Sequence, residues 1–206
     1  MPKVVYLVRH AQSQPSLEVP DPGWPLSERG HAQAVRLAAV LADLGVEEVH
    51  TSPYLRCRDT VAPFIAASAV PVHEHHDLRE RRVAPAVIDN FAEVWRRSWE
   101  DFTYALPGCE SSHATQERVH ATVTAICQRT ARSVLAVSSH GNALSLFLNR
   151  LDARFHIERA TTMRNPDIFR VIYDDGELRW DDGWRAPLLD EFATGHHETP
   201  FPRRPV

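Results

Sequence analysis

KVVYLVRHAQSQPS, residues 3–16, is the stretch whose reading decides the fold. Val4, Val5, Tyr6, Leu7 and Val8 form an unbroken apolar and β-branched run, the composition of a strand covered on both faces in a mainly parallel sheet. Arg9 and His10 follow with no turn residue between, so a cation and an imidazole are carried just past the strand's carboxyl end. Open α/β sheets bind their ligands at that edge. An Arg-His pair alone is a weak sign, because histidines are usually solvated or make one structural hydrogen bond. Partners must come from the rest of the chain.

With 206 residues, 43% of them hydrophobic, the chain can bury a full core as one domain over residues 1–206. A net charge of −4 argues against a general binder of nucleic acid or anionic membrane, while leaving room for a local basic pocket. Cys57, Cys109 and Cys127 are odd in number and lack a short paired spacing, which disfavours a disulfide framework or a thiolate zinc site and fits a reducing, cytoplasmic compartment. MPKVVYLV has one positive charge before a very short apolar run, too short for a signal segment, and no apolar stretch approaches membrane-spanning length.

Working outward, residues 14–25 hold Pro15, Pro20, Pro22, Gly23 and Pro25, which exclude regular structure and make an irregular wall beside the strand end. Ser27 is placed to cap a helix running to Leu44, with Gly45 as its stop. A short strand over 46–50 follows, then a helix opening at Pro53 whose first turns carry Arg56 and Arg58. Cations at a helix N-terminus oppose its dipole, and a bound anion resolves the conflict. A third strand is expected over 70–74, a charged segment over 77–82, a helix over 86–101 and a long helix from Ser112 to about Ala131. Val134, Leu135, Ala136 and Val137 form another buried parallel strand, followed directly by Ser139-His140-Gly141-Asn142 and an apolar helix. The opening arrangement is thus repeated, and a single sheet can set the two histidines side by side. Residues 168–180 read as an edge hairpin about Asp174-Asp175-Gly176-Glu177. From about residue 185 the chain is polar and proline-rich, a wrapping or partly disordered tail.

Two strand-end histidines, Arg9, Arg56 and the carboxylate of Glu80 form a set suited to a phosphate monoester. Guanidinium groups match its oxygens bidentately, and a neutral imidazole can attack phosphorus. Phosphoryl transfer spreads negative charge over equatorial oxygens, so fixed cations and alignment are its main needs. Neither a G-x-S-x-G elbow nor a P-loop is present.

LVRHAQS (7–13), LSERGHAQA (26–34), SPYLRCRDTVA (52–62), LRE (78–80) and SSHG (138–141) resemble, in order, the motifs of the histidine phosphatase superfamily, which includes cofactor-dependent phosphoglycerate mutase. The resemblance implies a three-layer α/β/α sandwich with a mainly parallel central sheet and neither metal nor cofactor. It implies His10 as the nucleophile that becomes phosphohistidine, Arg9, Arg56, His140 and Gly141 around the phosphoryl group, and Glu80 as proton donor and later activator of water. Ser16 stands where many members have asparagine, with shorter reach toward phosphate. Ala11 stands where glycine is usual.

Residues 81–85 lack the glycine and tyrosine pattern of the mutase branch, which favours a phosphatase of a small phosphorylated metabolite. A mutase and a non-catalytic phosphate binder are the alternatives. The 107–112 loop is similar to the G-E-S loop of phosphatase-like members, Glu110 and Ser111 matching, and is expected to line the substrate mouth. His73, His75, His76, His196 and His197 read as solvated surface groups rather than metal ligands, and Trp95 and Trp99 as core. Arg58 is placed either to reach phosphate or to pair with a neighbour such as Asp59. An edge strand near Ile168, together with the tail, offers a surface for a homodimer.

Overall fold

The opening run forms β1, Lys3–Arg9, and is buried on both faces as its composition requires. Val5 and Leu7 enter one core, Tyr6 and Val8 the other. The computed structural model describes residues 2–195. Beside β1 lies β4, Val134–Ser139, parallel and in the register Val5↔Leu135 to Arg9↔Ser139. Next come β2, Glu48–Thr51, and β3, Val72–Glu74, both parallel to their neighbours. On the other side of β1 the sheet turns antiparallel with β6, Asp167–Asp174, and β7, Glu177–Trp180. The order is therefore β3-β2-β4-β1-β6-β7. Asp175 and Gly176 both take left-handed backbone angles at the hairpin turn, the geometry that matches strand twist.

Helices cover both faces. α1, Glu28–Asp43, starts where the Ser27 hydroxyl accepts from Gly30 N–H, and with α2, Leu55–Ser68, it packs Leu37, Leu41, Val61 and Phe64 against Tyr6 and Val8. α4, Ser112–Arg129, and α5, Gly141–Leu151, pack Val119, Val123, Leu144 and Phe147 against Val5 and Leu7. The three-layer α/β/α arrangement is the expected one.

Several elements differ from expectation. The helix expected over 86–101 is α3, Phe91–Glu100. Val87-Ile88 is β-branched and Asp89-Asn90 favours turns, so the helix waits until the Asn90 carbonyl can accept from Glu93 and Val94. α6, Ile157–Thr162, was not anticipated. The strand near Ile168 is not an edge: β6 is paired on both sides, and β7 is the outer strand. The first part of the tail wraps the body. Leu189 and Phe192 are buried in the α1/α2 core, and β8, Thr194–Gly195, pairs antiparallel with β5, Arg164–Asn165. A buried leucine contributes about 1.5–3 kcal/mol relative to an exposed one, so this segment is held by packing as well as by pairing. His196, His197 and the prolines at 200, 202 and 205 lie outside the described residues. Among the described residues no helix is long and apolar enough to cross a membrane.

Candidate active site

β1 and β4 end side by side, and each runs directly into a histidine. His10 N–H donates to the Ser139 carbonyl at 3.0 Å, extending the pairing one residue past β1. His140 then opens α5. The two rings lie 5.4 Å apart between centroids at 65°, edge toward face. Arg9 arrives as the last residue of β1, and Arg56 from the first turn of α2; both are buried. The groups are close enough for Arg9, Arg56 and His10 each to act electrostatically on His140.

The hydrogen bonds of His10 fix its tautomer. Nδ1 sits 2.7 Å from the Ala11 carbonyl, which can only accept, so Nδ1 carries the proton. Arg56 Nε donates to Nε2 at 3.2 Å, so Nε2 presents its lone pair toward the guanidinium. The backbone behind the ring is pinned from three elements. Thr60 Oγ1 accepts from Ala11 N–H, Gln33 Oε1 accepts from Gln12 N–H, and Asn165 Nδ2 donates to the His10 carbonyl. Ala11 packs with Leu26 and Ala34, so the methyl that departs from the usual glycine is absorbed in a small core cluster.

Arg56 is held by the Asp21 carbonyl at 2.8 Å and the Asp21 carboxylate at 3.1 Å, and lies against the rings of Tyr54 and Trp24. Arg9 Nη1 donates to the Met163 carbonyl. Burial lowers the Arg9 pKa to about 10, with Asp167 and Glu80 opposing the shift; it stays cationic at neutral pH. Gly141 has a steric role here. A Cβ on it would lie 3.2–3.3 Å from the Arg9 guanidinium, so its absence lets that cation rest against the start of α5. Burial, reinforced by Arg56, His10, Arg118 and Arg9, holds the His140 pKa well below its ordinary value, so the ring is neutral.

Glu80 reaches the same helix start. Its Oε1 accepts from Arg81 N–H and Ala143 N–H, its Oε2 from Asn142 N–H. Burial raises its pKa against those hydrogen bonds and Arg56, so the protonated form persists to higher pH than for an ordinary glutamate. The structure therefore brings Arg9, His10, Arg56, His140, Glu80 and Gly141 to one sheet edge. Two buried cations, two neutral imidazoles and a carboxyl of raised pKa can hold a tetrahedral oxyanion and move a proton beside it.

A family model, the histidine phosphatase superfamily (branch 1), matches residues 5–182. The chain belongs to this superfamily. It is 29% identical to "Probable phosphoglycerate mutase GpmB" of Salmonella typhi over 211 residues, 95% of each chain. Against the protein of the same name in Salmonella enteritidis it is 30% identical, covering 91% of this chain and 97% of that one. Among solved structures, a mycobacterial glucosyl-3-phosphoglycerate phosphatase superposes with a TM-score of 0.70 at 22% identity, covering 89% of this chain and 99% of that one. A phosphoserine phosphatase variant from Entamoeba histolytica gives 0.71 at 15%, with 90% and 97% covered. At such identities the structural likeness speaks for the fold.

Other expected residues of this superfamily member fall elsewhere. Ser16 makes local contacts: its hydroxyl accepts from Glu18 N–H and its carbonyl from the Trp24 indole. Arg58 pairs with a nearby carboxylate, Glu74 at 3.4 Å, and acts electrostatically on Asp59, which is the pairing alternative. Glu110 is bound bidentately by Arg118, and Ser111 caps α4, so both matching residues of the 107–112 loop are engaged in structure. The loop lines a shallow cavity with Arg79 and Arg82 whose walls include none of Arg9, His10, Arg56 and His140. Trp99 is core, but Trp95 is also tied to the site, its indole donating to Asn142 Oδ1.

His73 is exposed, as expected from the sequence, and His75 is half-buried. They gather with buried His50 about Glu48: His50 Nδ1 is 2.9 Å from His75 Nε2, and Glu48 Oε1 lies 3.1 and 3.4 Å from His50 and His73. Burial lowers the His50 pKa to about 4. Among the described residues no group of three ligands is arranged for a metal ion. His76 remains an exposed surface group. Ser52, Cys57, Thr60, Gln33 and Asn165 support the site without having been singled out, because each reaches it by tertiary contact rather than by a local pattern.

Proposed function

We propose that this protein hydrolyses phosphomonoesters of small metabolites through a phosphohistidine at His10. The observation that carries it is the His10 tautomer: with Nδ1 donating to Ala11 C=O, the lone pair of Nε2 is presented beside Arg56. The phosphoryl group takes the place of the Arg56–Nε2 contact, its oxygens held by Arg9, Arg56 and His140. Nε2 attacks phosphorus and the ester P–O bond breaks. Protonated Glu80 gives its proton to the departing oxygen. The Glu80 carboxylate then takes a proton from water as that water attacks phosphorus; the P–Nε2 bond breaks, its electron pair returns to Nε2 and inorganic phosphate leaves, so both groups regain their starting states. Ser16 Oγ accepts from Glu18 N–H through one of its two lone pairs, which leaves its own O–H proton to donate to a phosphoryl oxygen.

Phosphatase names among the solved structures that share the fold support hydrolysis. The sequence relatives are named as mutases, which favours one second reading, transfer of the phosphoryl group back to the substrate skeleton. Turnover of an aryl phosphate by wild type and His10→Ala tests the first, and isomerisation of phosphoglycerate primed by a bisphosphate tests the second. Hydrolysis by wild type and none by the variant supports the phosphatase. Equal rates overturn it. Phosphate binding with neither reaction would select the non-catalytic alternative.

A further inference from the structure

His140 is fully buried, and its Nε2 lies 2.8 Å from the hydroxyl of Ser52, itself fully buried at the end of β2. Proton accounting decides the direction of that bond. Ser52 Oγ already accepts from Tyr54 N–H at 3.3 Å, and its own proton has two acceptors in reach, His140 Nε2 and the Cys57 thiol. A ring nitrogen is a far better acceptor than a thiol sulfur. Cys57 Sγ is 3.3 and 3.7 Å from the two ring nitrogens and 3.4 Å from the Ser139 carbonyl, so it packs beside the ring while its S–H is directed to that carbonyl. Were Nε2 protonated and donating to Ser52, the buried hydroxyl would keep only the sulfur. Buried hydroxyls find strong acceptors.

We propose that Ser52 is a positioning residue that fixes His140 as the Nδ1–H tautomer. The neutral ring then offers a single N–H, on the nitrogen away from Ser52, as a donor to a phosphoryl oxygen. Burial and the neighbouring cations keep the second proton off, so the tautomer rather than the charge determines what the ring can donate. The consequence for turnover rests on the phosphoryl-transfer reading; the tautomer itself does not.

Long-range proton–nitrogen NMR of the full chain with labelled histidine tests the proposal, with His140→Gln assigning the ring. Expected are a protonated Nδ1 and an unprotonated Nε2 for His140 in wild type and Ser52→Thr, and a mixed or reversed pattern in Ser52→Ala. Ser52→Ala is also expected to lower kcat about 10- to 100-fold, with Ser52→Thr retaining most of it. A protonated Nε2 in wild type overturns the proposal, as does an unchanged pattern in Ser52→Ala. If Ser52→Ala does not fold, the wild-type spectrum decides alone. Absence of turnover in wild type would overturn the phosphatase reading while leaving the tautomer measurement intact.

Discussion

Replacing Glu80 by glutamine separates proton donation from phosphate binding. The amide keeps one oxygen, which can still accept from Arg81 and Ala143 N–H, but it sets an NH2 against Asn142 N–H in place of Oε2. One buried donor loses its partner, at about 1–3 kcal/mol of stability. The chemical loss depends on the leaving group. An alkoxide needs its proton as the P–O bond breaks, and general acids typically contribute about 10²- to 10⁴-fold, or about 3–5 kcal/mol at 1.36 kcal/mol per decade. A nitrophenolate is stable without it, so its release should fall by less than about tenfold. Rapid-quench measurement of the first turnover on an alkyl and a nitrophenyl phosphate reads this directly. The variant should keep a burst of nitrophenolate and then slow, because the same carboxylate activates water in the second step. In wild type the alkyl rate should decline as pH rises through the raised Glu80 pKa, and the variant should lose that decline. Equal losses on both substrates, or none on either, would refute the assignment of Glu80 as the acid.

Three further outcomes follow from the geometry. Arg56→Ala removes the cation at His10 Nε2 and should lower kcat/KM by about 10²- to 10³-fold while circular dichroism stays native-like. Gly30→Ala places a Cβ 2.0 Å from the Gln12 carbonyl, so the loop behind His10 must move; about 1–3 kcal/mol and a Tm lower by about 2–12 °C are expected in a thermal melt. His140 has a depressed folded-state pKa, whereas the unfolded imidazole binds a proton near about 6.5, so folded protein binds fewer protons and stability falls as pH drops below that value. The slope is up to about 1.4 kcal/mol per pH unit from this group, and urea midpoints at several pH values should show it shrinking in His140→Gln.

The sheet and the two strand-end histidines were legible because the signals are local: an apolar run and an abrupt polar stop. β1 and β4 each carry theirs within about ten residues, and the parallel pairing then sets His10 beside His140. What sequence reasoning missed is carried by tertiary contact. Nothing near Ser52 or Cys57 shows that both will meet His140, and nothing near Gln33 or Asn165 shows that they brace residues 10–12. His73 is at the surface as read, but its contacts with His50 and Glu48 come from β2, and only the register His50↔His73 unites them. Likewise Trp95 fitted a core stripe by spacing, but its indole N–H required an acceptor and found Asn142. The late start of α3 reflects turn-forming Asp89-Asn90 overruling an apolar period.

Acid-labile phosphoenzyme, trapped by rapid quench during turnover and located by mass spectrometry and phosphorus NMR, tests the role of His10 most directly. The phosphoryl group is expected on Nε2 of His10, and none is expected in His10→Ala. Label on any other side chain, or hydrolysis surviving intact in His10→Ala, would contradict the nucleophile assignment.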